Sequence, residues 1–383
     1  MSTLPLPFFF PLFVLELTVA MPLQSSKTTC EEPSPLQLDF VRVGSRYRVG
    51  KLLGSGGSGE PNSESLTEVW HFSDTSLGSV YLGRDIRTGG DVALKIGYTG
   101  ETGLLSSGIS HEYNVYTRIA GCTGTSPVLW YGKEGLYEVI VLEYLGNSLG
   151  DLINEQKFDS GETFLCASQM VCSYYLFKKA VLLTALVHVQ LSAVESLHAR
   201  HFIHRDIKPS NFMAQADGVS PTISLIDFGL AWLFRNPLTY LHIPYTMGHS
   251  AVGTLSFTSV NGQQGYAQSR RDDLESLAYT IIYLVRGDLP WTHLSAHRDH
   301  KAVLCKKTQI TVEELCEGLP TPFCEFIIHV RSLGFDQKPD YQRLHSILTQ
   351  CSGTGIDQPG KAPLFSAPPP VSVNCTSFPS DPV

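Results

Sequence analysis

Two kinds of hydrophobic periodicity divide the chain. Apolar and polar positions alternate in its first half, which predicts β-strands at Tyr47–Leu53, Val80–Arg84, Asp91–Ile96, Val128–Tyr131 and Val139–Tyr144, with one helix at Glu112–Ala120. After Ser148, apolar residues recur at steps of three and four, which predicts helices over Val181–Arg200 and Asp272–Val285. The pattern therefore predicts an α+β architecture: a small antiparallel strand-rich lobe with one helix, then a larger, mainly helical lobe, with a cleft between them.

Composition narrows the class of protein. The 383 residues are 43% hydrophobic and 17% charged, so the chain can bury a core of two lobes and is neither disordered, coiled-coil nor collagen-like. A net charge of −8 disfavours a nucleic-acid partner, which would select for a basic surface. The nine cysteines are scattered and form no CxxC pair, so we predict thiols in a reducing compartment rather than a disulfide framework or a zinc site.

The two ends differ from the globular middle. Residues 4–20 are apolar, but no Lys or Arg precedes them, prolines interrupt them and Glu16 lies inside them. A signal peptide needs a basic start, so we expect a cytoplasmic or nuclear protein without stable membrane insertion. Two alternatives stay open: residues 1–20 act as a signal peptide, or translation starts at Met21. Beyond Gly353 the chain is rich in Pro and Ser, which predicts a disordered tail.

A glycine-rich loop and two charged residues form the first candidate constellation. Gly54, Gly56 and Gly59 follow a predicted strand, and glycine lets backbone N–H groups approach phosphate oxygens closely. Alone, this motif is weak evidence. Lys95 lies on an apolar strand, where it is suited to meet the α- and β-phosphates of a nucleotide, and Glu112 on the following helix is the candidate to hold it by a salt bridge.

The second constellation is the run from His204 to Asn211, HRDIKPSN, followed by Asp227-Phe-Gly. Asp206 can accept the proton of a substrate hydroxyl, and Lys208, two residues on, can neutralise a γ-phosphate. Asn211 and Asp227 supply the hard oxygen ligands that Mg²⁺ prefers. Each residue alone is easily a surface charge, but in this order and context they jointly predict a two-lobed protein kinase fold.

From about Val41 to Cys351 the sequence resembles the eukaryotic protein kinases, and within them the casein kinase one family. The segments that carry the family resemblance include HRDIKPSNF from His204, LIDFGLA from Leu225, Ser259-Val260-Asn261 and the run Gln268–Leu277. The resemblance implies an ATP- and Mg²⁺-dependent Ser/Thr kinase that acts as a monomer on protein substrates.

The same resemblance assigns further positions. It implies that Val80 covers the nucleotide, that the adenine binds hinge backbone near Glu143 to Leu145 with Leu142 as gatekeeper, and that Asp273 anchors the catalytic loop. The domain assignment that follows is an N-terminal extension 1–41, a kinase domain 42–350 (first lobe 42–142, hinge 143–147, second lobe 148–350) and a tail 351–383.

Two runs interrupt the family pattern. Removing Glu60–Gly78 restores the continuous glycine motif through Val80, and removing Ser160–Leu176 restores another segment. We interpret both as unspliced in-frame introns, with genuine insertion loops as the alternative. If the first run is real, it lies in a loop that must close over phosphates. The alternative function is then a kinase-like pseudoenzyme or scaffold with impaired activity.

A third difference from the family pattern concerns the residues that would recognise the substrate. Relatives tend to prefer acidic or already phosphorylated substrates, which they read with basic residues beside the activation segment. Here Thr246 follows Tyr245 where relatives carry a basic residue. Our hypothesis is that nearby cations compensate, because phosphate recognition needs Arg or Lys donors; the candidates are Arg298, Lys301, Lys306 and Lys307.

Overall fold

The computed structural model describes residues 42–55, 78–99, 108–152, 187–216, 221–295 and 299–353. The first lobe is one antiparallel sheet in the strand order β1-β2-β3-β4-β6-β5. Its strands are β1 (Arg42–Val43), β2 (Tyr47–Ser55), β3 (Ser79–Asp85), β4 (Asp91–Tyr98), β5 (Val128–Glu134) and β6 (Tyr137–Glu143), with helix α1 (Ile109–Arg118) between β4 and β5.

The alternation of the strands gives the sheet two different faces. One face buries a small apolar cluster made of Val43, Tyr47, Val49, Val92, Leu94, Val139 and Val141. The opposite face of β4 carries Ala93 and Lys95, which are paired across the sheet with Leu82 and Val80 of β3. Burying alternate residues therefore leaves Lys95 on the face away from that cluster.

The second lobe is mainly helical. Helix α2 covers residues 187–199 of the described chain. Four short strands follow it and form two antiparallel pairs, β7 with β10 and β8 with β9: β7 (Phe202–Ile203), β8 (Phe212–Ala216), β9 (Pro221–Leu225) and β10 (Trp232–Leu233). The remaining helices are α3 (Val260–Gln263), α4 (Arg270–Arg286), α5 (Thr292–Ser295), α6 (His300–Gln309), α7 (Val312–Leu315), α8 (Thr321–Ser332) and α9 (Tyr341–Gly353).

Helix α4 lies at the centre of this lobe, and most of its first thirteen residues are buried. Ser269 and Asp272 form a capping box at its start, and Gly287 ends it with φ +78°, a conformation that glycine adopts without strain. A large cluster of buried apolar residues, including Leu274, Leu277 and Ile281 of α4, joins this helix to its neighbours and to α1. The cap and the core together fix the position of Asp273 near the start of α4.

The predicted α+β fold, an antiparallel sheet lobe followed by a helical lobe, is confirmed. Element boundaries shift by a few residues; α1 begins at Ile109 rather than Glu112, and α9 continues to Gly353, past the start of the predicted tail at 351. Residues 60–77 of the first interrupting run (60–78), the whole of the second (160–176), the N-terminal extension and the tail beyond Gly353 lie outside the described residues. Strands β2 and β3 nonetheless pair on either side of the first run, with register shifts between Val49 and Gly54 and with Ser55 opposite Ser79.

Candidate active site

The strand lysine lies between two carboxylates. Nζ of Lys95 is 2.8 Å from Oε2 of Glu112 on α1 and 2.6 Å from Oδ1 of Asp227, which precedes Phe228. The side chains of Lys95 and Glu112 are almost fully buried, whereas that of Asp227 is 29% exposed. The sheet, the helix of the first lobe and a loop of the second lobe thus meet at one ammonium group.

The electrostatics of this group are set by burial and by opposite charge. Burial alone lowers the pKa of Lys95, but the carboxylates of Asp227 and Glu112 outweigh it and raise the pKa above its ordinary value. Burial likewise opposes ionisation of Asp227, yet the charge of Lys95 lowers the pKa of Asp227 to about 2. Both groups are therefore charged at neutral pH.

A β-hairpin brings the two proposed magnesium ligands together. Strand β8 begins directly after Asn211 and β9 ends two residues before Asp227, with Phe212 opposite Leu225. The Ile226 N–H donates to the carbonyl oxygen of Asn211 at 3.0 Å. Antiparallel pairing therefore places positions 211 and 227 beside each other although 15 residues separate them along the chain.

Asp206 is held at both carboxylate oxygens. The backbone N–H of Thr254 donates to Oδ1 at 2.7 Å, while Nζ of Lys208 lies 2.9 Å from Oδ2. Nδ2 of Asn211 donates to the backbone carbonyl of Asp206 at 2.8 Å. Lys208 also donates to Oγ1 of Thr254 at 2.8 Å, which ties the loop of Asp206 to the segment that contains Thr254.

Asp273 supports this loop from α4. Its Oδ2 accepts the His204 N–H at 2.7 Å and its Oδ1 accepts the Arg205 N–H at 2.9 Å. Nε2 of the buried His198 lies 2.9 Å from Oδ2, and Nδ1 of His198 lies 2.5 Å from the hydroxyl of Tyr341 on α9. Although burial opposes it, the hydrogen bond from His198 keeps the pKa of Asp273 below its ordinary value.

Phe228 joins the two lobes next to the site. It is fully buried, with its ring edge-on to Tyr116 of α1 at 4.9 Å and to His204 at 5.2 Å between centroids. Asp227 itself has φ +65°, a left-handed conformation that costs a non-glycine residue energy. The packed phenylalanine holds this turn, so that the carboxylate of Asp227 faces Lys95.

The remaining predicted nucleotide contacts lie on the sheet and just after it. Val80 pairs with Lys95, and Ala93 pairs with Leu142, the predicted gatekeeper. Glu143 ends β6 and is exposed, whereas Leu145 is buried. Gly54 is exposed near the end of β2, opposite Val80; the predicted phosphate contacts Gly56 and Gly59 lie outside the described residues.

The donor set fits Mg²⁺ bound together with nucleotide phosphates. Within the described residues, no group of three or more His, Cys, Asp or Glu side chains forms a metal site. Mg²⁺ does not require one, because it commonly takes one or two protein oxygens and completes its shell with phosphate and water. The carboxylate of Asp227 and the side-chain oxygen of Asn211, whose amide nitrogen is already engaged, supply these two.

Three residues at the site were not predicted to act there. Thr254, His198 and Tyr341 are separated from their partners by 46 to 143 residues, so no local motif joins them. The sequence offered one signal for Thr254, which is the glycine before it. In the structure Gly253 has φ +89°, and a Cβ added there would lie 2.4 Å from the Arg205 carbonyl oxygen. A glycine is required there because the backbone passes against the catalytic loop.

The hypothesis that Lys307 helps to read acidic substrates is wrong. Lys307 is 1% exposed and donates to the backbone carbonyls of Leu255 at 2.8 Å and Thr258 at 2.7 Å. Burial also lowers its pKa. Lys301 and Lys306 are exposed on α6, and Arg298 lies outside the described residues. Lys307 therefore supports the activation segment from beneath and cannot meet a phosphate at the surface.

Comparison with protein families agrees with this geometry. Residues 74–327, well over half of the chain, match the family model described as protein kinase domain. The matched range begins shortly before β3 and ends within α8, so it contains Lys95, Glu112, Asp206, Asn211 and Asp227.

Proposed function

The chain belongs to the protein kinase family, and from this premise we propose that it is an ATP-dependent serine/threonine kinase of the casein kinase one type. The observation that carries the proposal is the double ion pair of Lys95 with Glu112 and Asp227, at 2.8 and 2.6 Å. This arrangement joins the first lobe to the loop that would hold Mg²⁺. The choice of Ser and Thr as acceptors rests on the resemblance of the HRDIKPSN and Ser259-Val260-Asn261 segments.

The mechanism follows from how each side chain is held. The substrate ATP would supply the γ-phosphoryl group and leave as ADP. Lys95 is placed to bind the phosphate tail, and Asn211 and Asp227 would hold Mg²⁺, whose charge would offset that of the phosphates. The chain therefore contributes positioning and charge. Asp206 accepts the proton of the substrate hydroxyl; the Thr254 N–H orients one of its oxygens. Lys208, beside the other oxygen, offsets the charge that develops on the transferred group.

Substitution of the base tests this proposal. In Asp206→Asn the amide cannot accept the proton, and general bases contribute roughly 10²- to 10⁴-fold to rates. We expect phosphate transfer from radiolabelled ATP to a mixed Ser/Thr peptide library to fall by that factor. ATP affinity should stay within about twofold, because Asp206 is neither a proposed metal ligand nor a partner of Lys95. Asp91→Asn, the same change at an exposed position, is the matched control. Undiminished transfer in Asp206→Asn, or product on tyrosine alone, would contradict the proposal.

A kinase-like scaffold is the alternative function, and it rests on the run 60–78. Transfer rates of the full chain and of a chain lacking 60–78 decide between them. The catalytic function predicts activity in both, or at least in the shortened chain, because Gly54 and Val80 already pair as a short hairpin requires. Inactivity of both chains, with ATP still bound, would favour the scaffold.

We further propose that the protein works in the cytoplasm or nucleus as a monomer. Within the described residues, Cys122, Cys316, Cys324 and Cys351 carry thiols that form no disulfide, which supports a reducing compartment. In the described part of the chain no helix is both long and apolar enough to span a membrane.

A further inference from the structure

Two histidines face each other where helix α2 meets helix α9. Nδ1 of His188 lies 2.9 Å from Nδ1 of His345, and the two ring planes are parallel within 5°. The ring centroids are 5.2 Å apart, which exceeds the separation of the nitrogens by about two ring radii. The rings therefore meet edge to edge, with each Nδ1 aimed at the other. Both side chains are half-buried between the helices.

This contact needs one hydrogen between the two nitrogens. In the neutral pair, or in the pair with one added proton, one Nδ1 can donate while the other accepts. When both imidazoles are protonated, each Nδ1 carries a hydrogen and no acceptor remains between them. Two like charges then also face each other at hydrogen-bonding distance. The contact is therefore favourable in two protonation states of the pair and unfavourable in the third.

The outer nitrogens of both rings are also held. Nε2 of His345 lies 3.5 Å from Oε2 of Glu195 on α2, and Nε2 of His188 lies 3.3 Å from Oγ1 of Thr349 on α9. Among the described residues, Glu195 is the only charged side chain outside the pair that contacts either ring. One carboxylate offsets one imidazolium, so the second added proton meets no counter-charge from these groups.

The direction in which His188 titrates gives the pH window. Burial, and after it the charge of His345, lowers the pKa of His188 below its ordinary value of 6.5. Just below pH 6.5 the unfolded chain therefore binds more protons at this position than the folded chain does. The stability that comes from the pair is complete above about pH 6.5 and is lost as the pH falls below that value.

The same two helices support the catalytic loop. The Tyr341 hydroxyl of α9 contacts Nδ1 of His198 on α2, and Nε2 of His198 contacts the carboxylate of Asp273. Tyr341, His345 and Thr349 recur at steps of four, so they lie on one face of α9, and each of them contacts α2. Separation of the helices at His345 therefore acts one helical turn away from the hydroxyl that holds His198.

We propose that His188 and His345 are positioning residues that hold α9 on α2 until both are protonated, and that the second proton separates them and lowers phosphate transfer by loosening the contact of Tyr341 with His198. The effect on transfer rests on the proposed kinase function. The effect of pH on the contact between the helices does not.

His188→Asn tests the pair in the full chain. An amide near the Nδ1 position can accept from His345 or donate to it, so the contact is kept while the titrating group is lost, and His345 keeps Glu195 as its partner. A hydrogen bond contributes about two- to tenfold to a folding equilibrium constant. Urea denaturation should therefore show that this constant, taken as the ratio of native chain to variant, falls about two- to tenfold from about pH 7.5 to about pH 5.5.

Steady-state kinetics at the same two pH values measure the positioning role. The ratio of kcat between the native chain and His188→Asn should fall with decreasing pH, because the titration of ATP and of Asp206 is common to both chains and cancels. The KM for ATP should keep a constant ratio, since neither histidine contacts a proposed nucleotide-binding residue. His300→Asn, the same change at an exposed position that begins α6, is the matched control and should follow the native chain.

The outcomes separate this inference from the proposed function. Equal pH dependence of the folding constant in the native chain and His188→Asn would overturn the inference. A difference that EDTA abolishes would also overturn it, because a metal ion on the two imidazoles would then be the cause. The expected fall in the folding constant with a constant kcat ratio would overturn the positioning role and leave the kinase function standing. The expected fall without transfer by any chain at either pH would support the protonation of the pair and overturn the kinase function.

Discussion

A series of hydrogen bonds connects helix α9 to the catalytic loop. Removing the Tyr341 hydroxyl, at the outer end of this series, is the most informative perturbation. The Tyr341 hydroxyl lies 2.5 Å from Nδ1 of His198, whose Nε2 lies 2.9 Å from Oδ2 of Asp273. The same carboxylate accepts the backbone N–H groups of His204 and Arg205. In a neutral imidazole whose Nε2 donates to the carboxylate, Nδ1 accepts from the tyrosine. Tyr341→Phe deletes that donor and keeps the ring.

The magnitude follows from burial. Tyr341 is 8% and His198 3% exposed, so water does not readily replace the lost partner. A buried acceptor left without a donor costs about 1–3 kcal/mol. We therefore expect the free energy of unfolding to fall by about 1–3 kcal/mol. Asp273 also orients the catalytic loop, so part of this loss raises the activation free energy. If that part is about 1.4 kcal/mol, kcat falls by about tenfold.

Urea denaturation of the full chain and steady-state kinetics measure the two effects. A positioning role predicts that kcat falls while the KM for ATP stays constant, because Tyr341 touches no nucleotide-binding residue. Tyr98→Phe, the same change on a residue that is 40% exposed, is the matched control and should alter neither quantity. The reasoning is refuted if Tyr341→Phe unfolds within about 0.3 kcal/mol of the unsubstituted chain and retains its kcat.

Two further substitutions test the site. Lys95→Met removes the charge that holds the pKa of Asp227 near 2 against an ordinary value of 3.8, and burial then raises that pKa. The stability from this pair is present above pH 3.8 and is lost as pH falls through about 2. Calorimetric titration should therefore give an Mg²⁺–ATP affinity that is constant from pH 8 to about 5 in the native chain and falls over that range in Lys95→Met. Equal pH profiles of the two chains would contradict this. Gly253→Ala places a Cβ 2.4 Å from the Arg205 carbonyl at φ +89°. It should destabilise the fold by about 1–3 kcal/mol in thermal denaturation and lower kcat; an unchanged melting temperature and kcat would count against the close approach.

The catalytic groups were predictable because each motif keeps its chemistry within a few residues. Asp206, Lys208 and Asn211 lie on one turn of chain, so their spacing along the sequence already limits their spacing in space. The sheet lobe was predictable for a related reason: alternation with period two assigns one face of every strand to the core. Lys95 could thus be placed on a strand with apolar neighbours before any contact was known.

Partners joined only by tertiary packing were not predictable. Thr254 reaches Asp206 across 48 residues and Tyr341 reaches His198 across 143, and no periodicity encodes such pairs. The hydrogen bonds depend on where α4 and α9 pack, which is decided by the whole core. Sequence therefore identified the proposed base, Asp206, and the supporting Asp273, and missed Thr254, His198 and Tyr341.

Lys307 is a residue for which the charge pattern gave a wrong prediction of surface exposure. Lys307 lies four residues after the buried Val303, on the inner face of α6, and three before the buried Ile310. That spacing is typical of the buried face of a helix, but lysine is rarely buried, so a count of charges places Lys307 at the surface. In the fold its ammonium group meets two backbone carbonyls and lies 5.3 Å from the ring centroids of Tyr279 and Trp291.

The position of this lysine connects the packing of the second lobe to the proposed base. The carbonyls it holds belong to Leu255 and Thr258, and Leu255 directly follows the residue whose N–H orients Asp206. The ammonium group therefore fixes the backbone on the underside of this segment. A charge that the sequence pattern assigned to substrate recognition thus helps to position Asp206.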